Sequence, residues 1–286
     1  MASGKPPVVK VGILKLGCVG TAPLLEYLLD ERADREDIDV RVVSSGAKMD
    51  PDKAEEVARK LIEFKPHFAA VVSPNAALPG PTKAREILLE AGLPVIVISD
   101  APAKKAIQSL EAKGFGYIVV EGDAMIGARR EFLDPVEMAC FNANIIKVLA
   151  ITGAYNVIVE QLDKVIEDLK EGRKPELPKV VVDKEVALKA AGFNNPYAKA
   201  KAMAAYETAR KVADLTVEGC FKVQEWERYV PLVAAAHEMM EVAAKLADEA
   251  RELEKPADTL SRRPHARDGT LMSKLKLIEK PVKIKK

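Results

Sequence analysis

The sequence is short of the residues from which metal sites and disulfide frameworks are made. Its three cysteines, Cys18, Cys140 and Cys220, are odd in number and far apart. With no C-x-x-C pair, neither a disulfide scaffold nor a thiolate metal site is expected. The histidines His67, His237 and His265 are equally isolated. No H-x-x-x-H or H-E-x-x-H spacing sets two imidazoles on one helical face, so no protein-bound metal is expected. No run approaches the roughly 20 apolar residues of a membrane span, and the opening MASGKPPVVK has no apolar signal-peptide core. The expected setting is therefore reducing cytoplasm, with no membrane partner. An excess of one charge is lacking too: 44 Lys+Arg stand against 43 Asp+Glu, for a formal +1. Nothing in that balance attracts nucleic acid. The distribution is less even, because Lys274 onward holds six lysines and one glutamate, a basic tail on a mildly acidic body. A lysine-guarded edge strand accounts for such a tail. What is present, 48% hydrophobic residues in a chain of 286, suffices for one large or two smaller domains with a buried core and no staples.

The first half alternates continuous apolar runs with amphipathic stretches. VVKVGILKL, DVRVVSSG, HFAAVVSPN, LPVIVISD and GYIVVEGD read as five strands, and helical patterns separate them. Strands without polar alternation belong to a sheet buried on both faces, which predicts an α/β domain with a parallel sheet over residues 1–133. Asp50 before Pro51, and Asp134 before Pro135, read as helix caps followed by first-turn prolines. From residue 134 to about 260 long helical runs predict a bundle. In its last helix, Leu232, Ala236, Met239, Ala243, Leu246, Ala250 and Leu253 form a heptad seam. LPKVVVD is a short strand inserted in that bundle, and residues 261–286 form a tail. These two segments are expected to make a small accessory β-sheet.

In parallel α/β sheets, ligands lie beyond the carboxyl ends of the strands, so the loops there hold the candidates. Lys15-Leu16-Gly17-Cys18-Val19-Gly20-Thr21 contains G-x-x-G, but Lys15 stands where the dinucleotide fingerprint needs its first glycine. The second strand ends in Ser44, Ser45 and Gly46 rather than a ribose-binding acid. NAD is therefore disfavoured, while a helix N-terminus at Gly20 and Thr21 suits a phosphate or serves as a tight turn. The loop SPNAALPGP is stiffened by Pro74, Pro79 and Pro81, either to recognise a planar heterocycle through Asn75 and amides or merely as a rigid connection. Asp100 caps a helix or binds a ligand. Asp123, Arg129, Arg130, Glu131, Asp134 and Glu137 crowd the junction of the two halves, as a cleft or as an ion-pair network.

The blocks KLGCVGT, SPNAALPGPTKARE, SDAPAKK, GDAMIGARREFLDPVEMA, NPYAKAKAMAA, ERYVPLVAAAHEMM and PHARDG, in this order along nearly the whole chain, resemble the archaeal methylenetetrahydromethanopterin dehydrogenases that use the deazaflavin coenzyme F420. The resemblance implies a cytoplasmic enzyme of one-carbon metabolism in methane-forming or related archaea, assembled as a homohexamer, a trimer of dimers. It implies reversible hydride transfer from the methylene carbon of methylenetetrahydromethanopterin to C5 of coenzyme F420, a co-substrate, without a metal. Such a transfer needs two rings held at roughly 3 to 3.5 Å, and a carboxylate to face the cation that develops. On this basis Lys15, Gly17, Gly20, Thr21, Ser73, Asn75, Pro79 and Gly80 are expected to hold the coenzyme. Asp100, Asp123, Arg130 and Glu137 are expected to hold the pterin, and Asp134 with Arg129 to act in catalysis. The alternatives are a non-catalytic ligand-binding or sensing protein and an NAD(P)-dependent dehydrogenase.

Overall fold

The structure is a computed structural model that describes residues 7–31 and 33–284. The five apolar runs form β1 (Val9–Lys15), β2 (Ile38–Ser44), β3 (Phe68–Ser73), β4 (Val95–Asp100) and β5 (Gly116–Val120). A sixth strand, β6 (Lys179–Val182), pairs with β5, giving a wholly parallel sheet in the order β2-β1-β3-β4-β5-β6. This corrects the expectation that LPKVVVD joins the tail. The free ladder edge of β5 requires partners for its N–H and C=O groups, and a run carrying Val180, Val181 and Val182 supplies them while extending the buried face. The tail keeps an accessory sheet of its own, in which β7 (Met272–Ser273) runs antiparallel to β8 (Val282–Lys283).

The helices are α1 (Thr21–Leu28), α2 (Pro51–Glu63), α3 (Pro79–Glu90), α4 (Ile107–Ala112), α5 (Pro135–Ile151), α6 (Ala154–Lys170), α7 (Lys184–Ala191), α8 (Pro196–Val217) and α9 (Trp226–Glu254). The expected caps form: Asp50 accepts from Lys53 N at 3.0 Å, and Asp134 from Glu137 N at 2.8 Å. Alternate residues of each strand face opposite layers, as the two-residue strand period demands. Val11, Ile13, Ala70, Val72, Ile98 and Ile118 pack under α1, α5 and α6, and that core continues into α8 and α9. Leu14, Val71, Val97 and Val119 pack against α2, α3 and α4. The helices after residue 134 therefore share their main core with the sheet.

In α9 the heptad seam lies one residue further on at its large positions. The buried row is Val233, Ala236, Met240, Ala243, Ala247, Ala250 and Glu254, while Leu232, Met239, Leu246 and Leu253 are half-buried. Alanines line the facing side of α8 at Ala198, Ala202, Ala205 and Ala209. Two small faces let the helix axes approach closely, so the bulkier side chains slide to the margin. Among the described residues no single helix is long and apolar enough to cross a membrane; α5 and α6 pass such a test only as a pair bent by 67°.

Candidate active site

Register brings the carboxyl ends of the strands into one row: Lys15 lies opposite Ser44 and Val72, Ser73 opposite Ser99, and Asp100 opposite Val120. Strand order reverses at β1, which opens the crevice between the loops after β1 and β3. Both loops are drawn tight. Gly17 has φ +77°, and a Cβ there would lie 2.6 Å from Met49 Sδ and 3.1 Å from Pro74 Cδ; at Gly80 it would lie 1.9 Å from the carbonyl oxygen of Met49. Only glycine permits three loops to converge this closely. The loop from Pro74 to Leu78 is fixed less by its prolines than by two polar anchors beneath it. Ser99 Oγ donates to Ser73 O at 2.7 Å and accepts from Ala76 N at 3.1 Å, and Arg85 donates to Ala76 O at 2.6 Å. The Asn75 side chain accepts from Ala77 N at 3.0 Å, an Asx turn that shapes the loop.

The N-terminus of α1 differs from the expectation of a phosphate cradle. Asp123, fully buried, accepts from Gly20 N at 2.6 Å and Thr21 N at 2.9 Å, and Thr21 Oγ1 donates to it as well. The anion at this helix terminus is thus one of the chain's own carboxylates, and Gly20 and Thr21 are not free to cradle another. Burial raises Asp123 to about 6 despite these donors. Asp100 is buried as well and accepts from Ala101 N at 2.5 Å. Burial, with Asp123 and Glu121 as further acids, holds it well above the carboxylate range. Glu121 pairs with Lys104 from the turn after β4. Between β5 and β6, Tyr206 of α8 accepts from Gly122 N at 3.1 Å and donates to Val182 O at 2.5 Å, tying the bundle to the strand ends.

The charged junction is not an ion-pair network. Among the described residues none of its six charges lies within salt-bridge distance of another of the six. Arg129, expected to be catalytic, donates to Gly219 O at 2.8 Å and Val223 O at 2.9 Å, and its guanidinium lies 4.0 Å from the Tyr229 ring centroid. Gly219 lies in the single π-helical turn Glu218–Lys222 that ends α8. With its fork committed to backbone carbonyls, Arg129 clamps the loop to the bundle. Glu131 bonds the Tyr229 hydroxyl, which lowers its pKa. Asp134 caps α5 and stays exposed, as does Arg130. Glu137, half-buried, bonds His237 Nδ1 at 2.7 Å.

Sequence reasoning missed His237, Tyr206, Ser99, Arg85 and Glu121. His237 and Glu137 are 100 positions apart, so no local spacing reveals the pair. Three buried side-chain atoms lack a hydrogen-bond partner among the described residues: Ser73 Oγ, Arg85 Nε and His237 Nε2. All three belong to the carboxyl-end loops or the elements fastening them. Unsatisfied buried groups are rare enough that such clustering marks a place built for something other than stability. A concavity of about 1030 Å³, lined by Gly92, Pro94, Phe115 and Lys179 among others, lies at the opposite end of β4, β5 and β6. It holds neither the buried acids nor these orphaned atoms, and the chemistry favours the carboxyl end.

Comparison with known proteins identifies the family. The family profile described as methylene-5,6,7,8-tetrahydromethanopterin dehydrogenase matches residues 9–282. The chain is similar to the F420-dependent methylenetetrahydromethanopterin dehydrogenase of Archaeoglobus fulgidus, 64% identical over 96% of this chain and 99% of that protein. The protein of the same description from Methanothermobacter thermautotrophicus is 56% identical over the same shares. A solved structure of an F420-dependent methylene-tetrahydromethanopterin dehydrogenase, in complex with methylene-tetrahydromethanopterin and coenzyme F420, superimposes with a TM-score of 0.93 at 52% identity, covering 96% of this chain and 100% of that one.

Proposed function

This chain belongs to the methylenetetrahydromethanopterin dehydrogenase family, and from that premise we propose that it catalyses reversible hydride transfer between methylenetetrahydromethanopterin and coenzyme F420. The observation that carries the proposal is full-length likeness, at 52% identity, to a structure that holds both of these compounds. The site suits that chemistry. The deazaflavin is the hydride acceptor, and the chain has to hold two rings in register and keep them there. The convergence of Gly17, Met49 and Gly80 gives the rigidity, and the unpartnered Ser73 hydroxyl at the end of β3 supports coenzyme binding in the crevice between β1 and β3. Lys15, Asn75 and Pro79 line the same strand end or loop.

Loss of hydride leaves a cation shared by two nitrogens, which a carboxylate stabilises. Asp134 is exposed at the junction with one oxygen on its helix cap, and it serves that role in this proposal. Arg130, exposed beside it, suits an anionic substituent of the pterin. Asp100 and Asp123 lie beneath the site as buried supports, and Arg129 holds the loop. The exposed apolar side chains of Val136, Phe221, Trp226, Leu277 and Ile278 support an assembly that covers them, and a homohexamer is proposed. Free Cys18, Cys140 and Cys220 fit a reducing cytoplasm.

The deciding experiment mixes purified protein with methylenetetrahydromethanopterin and each oxidised cofactor in turn, following absorbance. Bleaching of the deazaflavin band alone is expected. Reduction of NAD(P) without reduction of F420 would overturn the proposal.

A further inference from the structure

The pair formed by Glu137 and His237 is built in a way that the junction's other charges are not. Glu137 stands in the first turn of α5, its side chain 38% exposed, so part of the carboxylate faces out while Oε1 is turned inward to His237 Nδ1 at 2.7 Å. His237 comes from α9 and is 6% exposed. Its ring is gripped on two sides. Phe132 meets it edge-on at 4.9 Å and 89°, and Phe141 lies tilted at 4.6 Å. On the loop side the backbone lies close by, since a Cβ added at Gly127 would come within 3.6 Å of Nε2 and 3.0 Å of Val233. The imidazole therefore has little freedom to rotate.

Its protonation follows from its neighbours. A carboxylate only accepts, so Nδ1 carries the proton and donates to Glu137. Nε2 is left as a lone pair with no donor among the described residues. Burial lowers the histidine pKa and favours this neutral form, against the pull of Glu137. A buried acceptor without a donor is unfavourable, and it persists here while the other ring nitrogen fixes a half-exposed carboxylate. An imidazole holding a carboxylate in one orientation is the arrangement a site uses where an acceptor must meet ligand N–H groups at defined positions.

We propose that Glu137 accepts hydrogen bonds from the N–H donors on the pterin's aminopyrimidine edge and that His237 is the positioning residue that aims it. This rests on the function proposed above. His237 touches no substrate; it acts through Glu137.

The test uses the full-length protein, with Michaelis constants for both substrates measured on wild type, His237→Leu, His237→Asn, His237→Gln and Glu137→Gln. Asn places an N–H donor near the position of Nδ1, whereas Gln and Leu do not. His237→Leu and His237→Gln should raise KM for the pterin about tenfold, the loss expected for one oriented hydrogen bond, with kcat and the KM for F420 changed less than about twofold. His237→Asn should recover most of the pterin KM. In the Glu137→Gln background His237→Gln should add nothing further. Equal effects of Asn and Gln, or additive effects of the two substitutions, would overturn the inference, and the Asn and Gln arms decide it even if His237→Leu does not fold. Wild-type protein that turns over neither F420 nor the pterin would instead refute the proposed function itself, so the two failures are distinguishable.

Discussion

The two ends of the sheet handle charge in opposite ways. At the amino end the chain closes its charges on one another. His265 bonds Glu31 at 2.6 Å and Asp163 at 2.7 Å, Arg35 holds Asp37 at 2.8 Å and Asp163 at 3.2 Å, and Lys170 donates to Glu167 at 2.8 Å. The backbone adds to this lock, with Glu36 N donating to Arg267 O at 2.7 Å. Together these bonds fasten the tail to the loop before β2 and to α6. At the carboxyl end, acids are buried with far fewer cations: Lys104 serves Glu121, while Asp100 and Asp123 accept from backbone and hydroxyl donors. Among the described residues, the unpartnered Ser73 Oγ and His237 Nε2 lie at this second end. One end is closed for stability. The other retains polar groups that a stability-only design would have paired, which is the usual mark of a functional face.

The largest expected effect tests the carboxyl end. Asp123→Ala removes the acceptor of two amides and one hydroxyl, all buried, and is expected to cost about 3 kcal/mol or more in denaturant unfolding, with loss of turnover. A cost below about 1 kcal/mol would show that α1 and the β5 loop are not joined through this carboxylate.

Next comes the pH dependence, where the ends separate. Asp123 is raised from 3.8 to about 6, so its contribution is fully present below pH 3.8 and is lost as pH rises through 6. His265 is raised from 6.5 to about 9 by its bonds to Asp163 and Glu31, against its burial. Its contribution is present below pH 6.5 and lost as pH rises through 9. Each shift is worth about 3 kcal/mol at full loss. Unfolding free energy should therefore step down twice as pH rises, and His265→Gln should erase the upper step while leaving the lower. A single step would collapse the distinction between the two ends.

Much of this contrast is legible in the sequence on one side and hidden on the other. Continuous apolar runs such as Val95 to Ile98 declare buried parallel strands, and Asp50-Pro51 and Asp134-Pro135 declare caps, because these signals are local. The place of β6 is not local, since Val180 to Val182 read the same whether they pair with β5 or with the tail. Likewise Gly20 and Thr21 look like an anion site from their loop alone; only the chain's return at Asp123, over 100 residues later, fills it. The pairing of His237 with Glu137, and the carbonyls that engage Arg129, arise from packing between distant helices in the same way.

The smallest stability effect belongs to Asp134→Asn. Asparagine caps a helix about as well as aspartate, so unfolding should change by less than about 0.5 kcal/mol. Turnover should nonetheless fall, because the charge facing the cation is gone. Unchanged kcat and KM in a folded variant would remove Asp134 from the site and leave it a cap like Asp50, so this substitution separates the structural from the chemical use of the same oxygen atoms.

The central claim is that this chain works by holding two rings directly against each other at the carboxyl end of the sheet, with no protein group carrying the hydride. Methylenetetrahydromethanopterin deuterated at its methylene carbon tests it in one turnover. Recovery of the deuterium on C5 of the reduced coenzyme, with none released to water, is the predicted result. Label found in the solvent, or reduced coenzyme without deuterium, would contradict it.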